Sequence, residues 1–214
     1  MSCSTASAPV NIAGNNDNTC SLKCDFRFQY PITNLNAMNE GDYLKLQPET
    51  AATPPVVFNA EKFMVVEARI YRPSLHTYGG RHTTAEMIVI HANVSGGKDL
   101  LVSVPLDKDG GLGEGSNILA SVLAEAGGGA AIDGTGTGQI NLPTFTFGKF
   151  IPYKPFYSYQ GTLPYRPCNG MYNYVVFGRE HALGLDNAAK STIENIIRAT
   201  SYTIREARGG IFYN

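Results

Sequence analysis

The sequence predicts a mainly β chain, built as a mostly antiparallel central sheet with a few peripheral helices. Three observations predict it. Apolar residues recur with a period of two in several short segments, which places alternate side chains on one face of a strand. Two further stretches are almost continuously apolar, as strands covered on both faces are. The 23 glycines and 12 prolines break the chain at short intervals among many Val, Ile, Thr, Tyr and Phe, which suits strands joined by turns better than a helical bundle. With 214 residues and a 43% hydrophobic fraction, the chain can bury the core of one ordinary domain.

The elements follow in order. Residues 1–24 are small and polar and read as an N-terminal arm. Residues 25–200 read as a single domain and residues 201–214 as a C-terminal tail. In DFRFQYPITNL (25–35), Phe26, Phe28 and Tyr30 alternate with polar partners, predicting a half-buried strand. DYLKLQP (42–48) sets Leu44 and Leu46 on one face against Tyr43, Lys45 and Gln47. Further strands are expected over 55–59 and 62–72. TAEMIVIHANV (84–94) reads as a central strand and LLVSVPL (100–106) as the next.

Two helices interrupt the pattern. SNILASVLAEA (116–126) carries Ile118, Leu119, Val122 and Leu123 on one stripe, with Ser116 as candidate N-cap and Gly127 at its exit. DNAAKSTIENIIRAT (186–200) has Asp186 as candidate N-cap and Ala189, Ile193, Ile196 and Ile197 as its buried stripe. The Gly-rich tracts 109–115 and 127–138 lack the strand-to-helix frame and the G-K-[ST] of a phosphate loop and read as plain loops. The tail, with Ile211, Phe212 and Tyr213, is expected to add an edge strand or to reach a neighbour.

Composition narrows the partners. A net charge of −1 supplies no field for a polyanion, so nucleic acid is not expected. No apolar run approaches the ~20 residues of a membrane span, and MSCSTASAPV lacks the basic and apolar regions of a secretory signal. Four histidines without H-x-H or H-x₃-H spacing do not form a ligand set: His82 falls in the turn GGRH, His91 at the end of the central strand, His181 in FGREHA. The C-x₃-C pair Cys20/Cys24 has no partner pair to complete a zinc knuckle. Asp107 and Asp109 flank a glycine turn and read as solvated loop residues. The aromatic, Pro-rich stretch 153–167 is either a recognition surface using Tyr153, Phe156, Tyr157 and Tyr165, or a packed loop. No serine or cysteine nucleophile signature is present.

Several short motifs recur in one order: APVNI (8–12), NEGDY (39–43), SLHTYGGRHTTAEMIVIHAN (74–93), GTLPYRP (161–167) and YNYVVF (172–177). In that order and spacing, from about Ala8 to about Ile197, the chain resembles the α-carbonic anhydrases. The resemblance implies a large twisted sheet with peripheral helices. It also maps the family's zinc-binding histidines onto Arg69, Tyr71 and Ile88, and its structural network onto His76, Glu86 and Tyr159. The residues that orient zinc hydroxide fall on Leu75 and Pro164. Arg69, Tyr71 and Ile88 supply no imidazole, and Leu75 and Pro164 no carboxylate or hydroxyl, so no metal, cofactor or catalytic residue is expected and the chain resembles the inactive members of the family. Arg69 is expected either to pair with Glu67 or Glu86 or to point into solvent. The family's disulfide implies a bridge from Cys20 or Cys24 to Cys168, with reduced thiols as the alternative.

By the same resemblance the first expectation is a structural or interaction component of a virion, such as a minor capsid protein of a large DNA virus. It would assemble in host cytoplasm, with other capsid or virion proteins as partners. The second is a glycan- or cell-surface-binding module using Arg69, Arg72, Arg81 and Arg166. The third is an enzyme of different metal chemistry.

Overall fold

The computed structural model describes residues 6–14, 18–20, 24–129, 137–140 and 145–214. In chain order the strands are β1 (Asn11–Ile12), β2 (Phe26–Phe28), β3 (Leu35–Asn39), β4 (Tyr43–Pro48), β5 (Val56–Phe58), β6 (Glu61–Tyr71), β7 (Thr77–Tyr78), β8 (Ala85–Asn93) and β9 (Leu100–Asp107). Helix α1 (Glu114–Gly129) follows, then β10 (Thr137–Ile140), β11 (Tyr157–Gly161), β12 (Tyr172–Val176), β13 (Leu183–Gly184), helix α2 (Asn187–Ile196) and β14 (Arg208–Tyr213). Among the described residues these build one large mixed sheet in the order β10-β3-β4-β6-β8-β9-β12-β11-β14. β2 and β5 join beside β6, β13 joins beside β9, and β1 pairs separately with β7. Most ladders are antiparallel. β12 and β13 run parallel to β9, and β1 runs parallel to β7.

The sheet buries both faces, each against a different core. Along β8, Met87 and Val89 enter the larger core and Ile88 the smaller one, as period-two geometry requires. The larger core takes Leu44, Leu46, Ala68 and Ile70, the stripes of both helices, and a phenylalanine cluster that includes Phe145, Phe147 and Phe150. The smaller core is rich in tyrosine. Ala8, Val10 and Ile12 of the N-terminal segment close over it, and this is the face that positions the candidate site.

Several sequence expectations shift on the structure. The strand expected over 25–35 ends at Phe28, and Pro31, which has no N–H to give a ladder, lies in the gap before β3. Ser116 is not an N-cap, because α1 begins at Glu114. Its hydroxyl instead donates to the Gly111 carbonyl (2.8 Å) and accepts from the Gly184 N–H (3.1 Å), tying the helix start to β13. Helix α1 continues past Gly127 to Gly129, so the loop expected over 127–138 shortens, and its residues 130–136 lie outside the described residues. Of the N-terminal arm, residues 1–5, 15–17 and 21–23 also lie outside them. Asp186 does cap α2, accepting from the Ala189 N–H at 2.7 Å. The Arg72 guanidinium closes the other end of that helix on the carbonyls of Glu194 (2.9 Å) and Ile197 (3.2 Å). The tail forms an edge strand, β14 on β11. Asp107 is buried and ion-paired to Arg179 at 2.9 Å, whereas Asp109 is solvated as expected.

His91 is a core histidine. Its Nδ1 lies 3.2 Å from the Leu100 carbonyl, which can only accept, so Nδ1 carries the hydrogen and Nε2 accepts from the Tyr30 hydroxyl at 2.8 Å. Burial pulls its pKa down from 6.5 to about 4. The unfolded chain therefore binds a proton between those values that the folded chain refuses. The contribution is complete above pH 6.5 and is lost as pH falls towards 4. Wild type should lose about 3 kcal/mol across that window beyond any loss in His91→Gln, whose amide keeps both hydrogen bonds without titrating. Urea denaturation of the two proteins from pH 7 to pH 4 checks this, and parallel curves would refute it.

Candidate functional site

On strand β6, Glu67, Arg69 and Tyr71 point to the same face. Ladder pairing sets Arg69 opposite Ile88 and Tyr71 opposite Glu86 on β8, with Lys45 and Tyr43 of β4 on the other side. The structure thus brings Arg69, Tyr71 and Ile88 together on the tyrosine-rich face. A register shift between Val65 and Glu67 marks where β6 changes partner from β5 to β4.

Arg69 does not project into open solvent; only 20% of its side chain is accessible. Its Nε donates to a Glu67 carboxylate oxygen and its Nη1 to the Tyr71 hydroxyl at 3.3 Å. The guanidinium carbon lies 4.6 Å from the ring centre of Tyr43 and 4.6 Å from that of Tyr165. Tyr71 stacks on Tyr165 at 5.6 Å and touches Tyr43 at 5.3 Å and Tyr202 edge-on at 6.1 Å. Burial alone would pull the Arg69 pKa down, but the neighbouring tyrosines and Glu67 hold it above its ordinary value, so the charge is permanent. The Tyr71 phenol is pushed up, chiefly by burial, and stays protonated. Of the two carboxylates weighed for Arg69, the partner is Glu67.

Glu86 is engaged elsewhere. Its carboxylate is fully buried and accepts from the backbone N–H of Leu75 (2.6 Å) and His76 (2.9 Å), from His76 Nδ1 (2.6 Å) and from the Ser103 hydroxyl. His76 Nε2 lies 2.7 Å from the Tyr159 hydroxyl, and Tyr159 stacks face to face on Tyr174 at 4.3 Å. Burial drives the Glu86 pKa up, but His76 and the donors around the carboxylate outweigh it and hold the group below its ordinary value. His76, Glu86 and Tyr159 therefore form one buried chain that fastens the segment before β7 to β8 and β11. Leu75 is fully buried and contributes only its N–H. Pro164 lies apart from that chain, lining a cleft of about 240 Å³ with Tyr165 and Tyr202.

The disulfide reading is corrected. Cys20 bonds to Cys24, not to Cys168, their Cα atoms lying 5.9 Å apart, within bridging distance. Among the described residues no cysteine is free, and Cys168 is itself disulfide-bonded. Of the aromatic stretch, Phe156, Tyr157 and Tyr165 are buried and only Tyr153 is exposed, stacked on Phe28 at 4.8 Å. Of the four arginines considered for a glycan, Arg69 and Arg72 are bonded within the fold. Sequence reading missed Tyr43 and Tyr202 as neighbours of Arg69. No local pattern marks them, because they arrive from β4 and from the segment after α2. Among the described residues, no three His, Cys, Asp or Glu side chains gather where they could hold a metal ion.

In the Glu86 network, Glu86→Gln turns an amide donor towards groups that already donate. It should destabilise the protein by about 3 kcal/mol. Tyr159→Phe, which removes one hydroxyl at the end of the chain, should cost about 1 kcal/mol. Chemical denaturation measures both; equal costs would refute the ranking.

No family model matches the sequence, and no curated protein matches it significantly. Solved structures do. The α-carbonic anhydrase of Photobacterium profundum aligns with a TM-score of 0.78 and 16% identity over 97% of this chain and 88% of its own. The carbonic anhydrase Cah3 of Chlamydomonas reinhardtii, solved with acetazolamide, gives 0.76 and 17% over 97% and 90%. Dioscorin, solved with ascorbate, gives 0.74 and 13% over 97% and 85%.

Proposed function

We propose that this chain, which has the α-carbonic anhydrase fold, is a scaffold without hydratase chemistry that acts as a structural or interaction component. The observation that carries this reading is the Arg69 cluster. The zinc that the fold family implies does not fit the side chains on this face. By the sequence resemblance, the three metal positions hold a permanently charged guanidinium, a protonated phenol and an aliphatic chain. Lys45 stands opposite Arg69 in the ladder and is itself ion-paired to Glu40 at 3.5 Å. A divalent cation would meet charge repulsion and find no imidazole. The two positions that would orient a hydroxide, Leu75 and Pro164, offer no side-chain hydroxyl or carboxylate.

The setting within this reading is a virion shell with other capsid proteins as partners. It follows the resemblance to inactive members of the family. The glycan-binding alternative is weakened, because Arg69 and Arg72 are engaged within the fold.

Two measurements test the reading. Protein equilibrated with zinc and dialysed should retain well under one zinc per chain, and its carbon dioxide hydration should match the buffer blank. The triple variant Arg69→His/Tyr71→His/Ile88→His, which rebuilds three imidazoles on paired strand positions, should gain zinc binding. One tightly held zinc in the wild-type chain, with hydratase activity, would overturn the reading. Recovery of the protein from purified virus particles tests the setting, and its absence from them would remove it.

A further inference from the structure

The Arg69 cluster joins parts of the chain that are remote in sequence. Tyr43 comes from β4, Tyr165 from the loop after β11, and Tyr202 from the segment after α2. All three converge on Arg69 and Tyr71, residues two apart on β6. A desolvated cation needs charge and polarisable surface around it. Glu67, with 13% of its side chain accessible, supplies the charge; two ring faces and a phenol oxygen supply the rest. Glu67 is then neutralised by Arg69, while Glu86 on the neighbouring strand is spent on His76, Ser103 and two backbone N–H groups and Glu40 is paired with Lys45.

We propose that the Arg69 guanidinium is the built-in cation of this face, and that the fold depends on it to hold β4, the loop after β11 and the segment after α2 together. The inference rests on the reading of the site given above, but it is measured through stability and ligand rescue. It can therefore fail while the absence of hydratase activity stands, and the reverse is equally true. The site that Arg69 fills is specific for a planar guanidinium. Its walls are ring faces that suit a flat delocalised cation, and its floor is a single carboxylate matched to a single positive charge. Removing the side chain would leave a space, lined by Tyr43, Tyr71 and Tyr165 with Glu67 at its base, that takes alkylguanidinium ions and rejects divalent metals.

The test compares wild type, Arg69→Ala and Arg69→Lys by thermal melting, each alone, with millimolar N-ethylguanidinium chloride, and with zinc chloride. Arg69→Ala should melt at least about 6 °C below wild type, because Glu67 is left buried without its partner. Arg69→Lys should fall between them, since an ammonium keeps the charge but loses the planar fork. N-ethylguanidinium should raise the melting temperature of Arg69→Ala by several degrees without raising that of wild type, whose site is filled. Zinc should raise neither. Should Arg69→Ala not fold, Arg69→Lys against wild type carries the comparison. An Arg69→Ala protein that melts within about 1 °C of wild type overturns the proposal, as does rescue by zinc equal to rescue by N-ethylguanidinium. So does an Arg69→Lys protein as stable as wild type.

Discussion

A guanidinium withdrawn from water has to be neutralised where it stands, since it cannot release its proton as a buried lysine or histidine can. That constraint organises the tyrosine-rich face. Glu67 lies two residues before Arg69 because period-two geometry is the shortest way to put a carboxylate beside it on a strand. Tyr71, two residues further on, turns its hydroxyl to the same head group and its ring to Tyr165. The work is divided: Tyr43 and Tyr165 turn ring faces to the cation, and Tyr71 supplies the hydroxyl that accepts from it. Ile88, directly across the ladder, closes the remaining side with a group that asks for nothing.

A few ångströms of sheet away, Glu86 solves the opposite problem. It is a buried anion, and it is satisfied almost entirely by donors rather than by a permanent cation: two backbone N–H groups, a hydroxyl and an imidazole. The two sites are side by side on paired strands and share no hydrogen bond. Tyr71 and Glu86 face each other across the ladder, yet each is bonded within its own group. The Glu86 network ties side chains to backbone N–H groups as well as to one another; the Arg69 cluster joins side chains alone.

Most of this was legible in sequence where the signal is local. Alternation at Leu44 and Leu46, the apolar run of β8 and the Asp186 cap follow from residues within a few positions of one another. The likeness to a known family marked His76, Glu86 and Tyr159, and the structure brings these three into contact. Legibility failed where partners are distant or where a residue type has two uses. β11 and β12 were not read as strands, because YSYQG and YNYVV carry tyrosines that a loop or a surface could use equally well. Asp107 read as solvated because nothing near it in sequence announces Arg179, which arrives from beyond β12. The cysteines show the converse error. The resemblance implies a bridge to Cys168, whereas in the structure the local C-x₃-C pair closes on itself.

The seam between the two termini has a consequence for how the molecule assembles. Ser7 exchanges hydrogen bonds with Thr162, the Arg205 N–H donates to the Pro9 carbonyl, and Asn214 donates to the Cys24 carbonyl across a separation of 190 residues. None of these contacts can form before the strands between them have aligned, since each closes a very long loop of disordered chain. Residues 7–9 therefore lock only after residues 162 and 205 have been brought to them, whereas Val10 and Ile12 can already bond the segment 77–79.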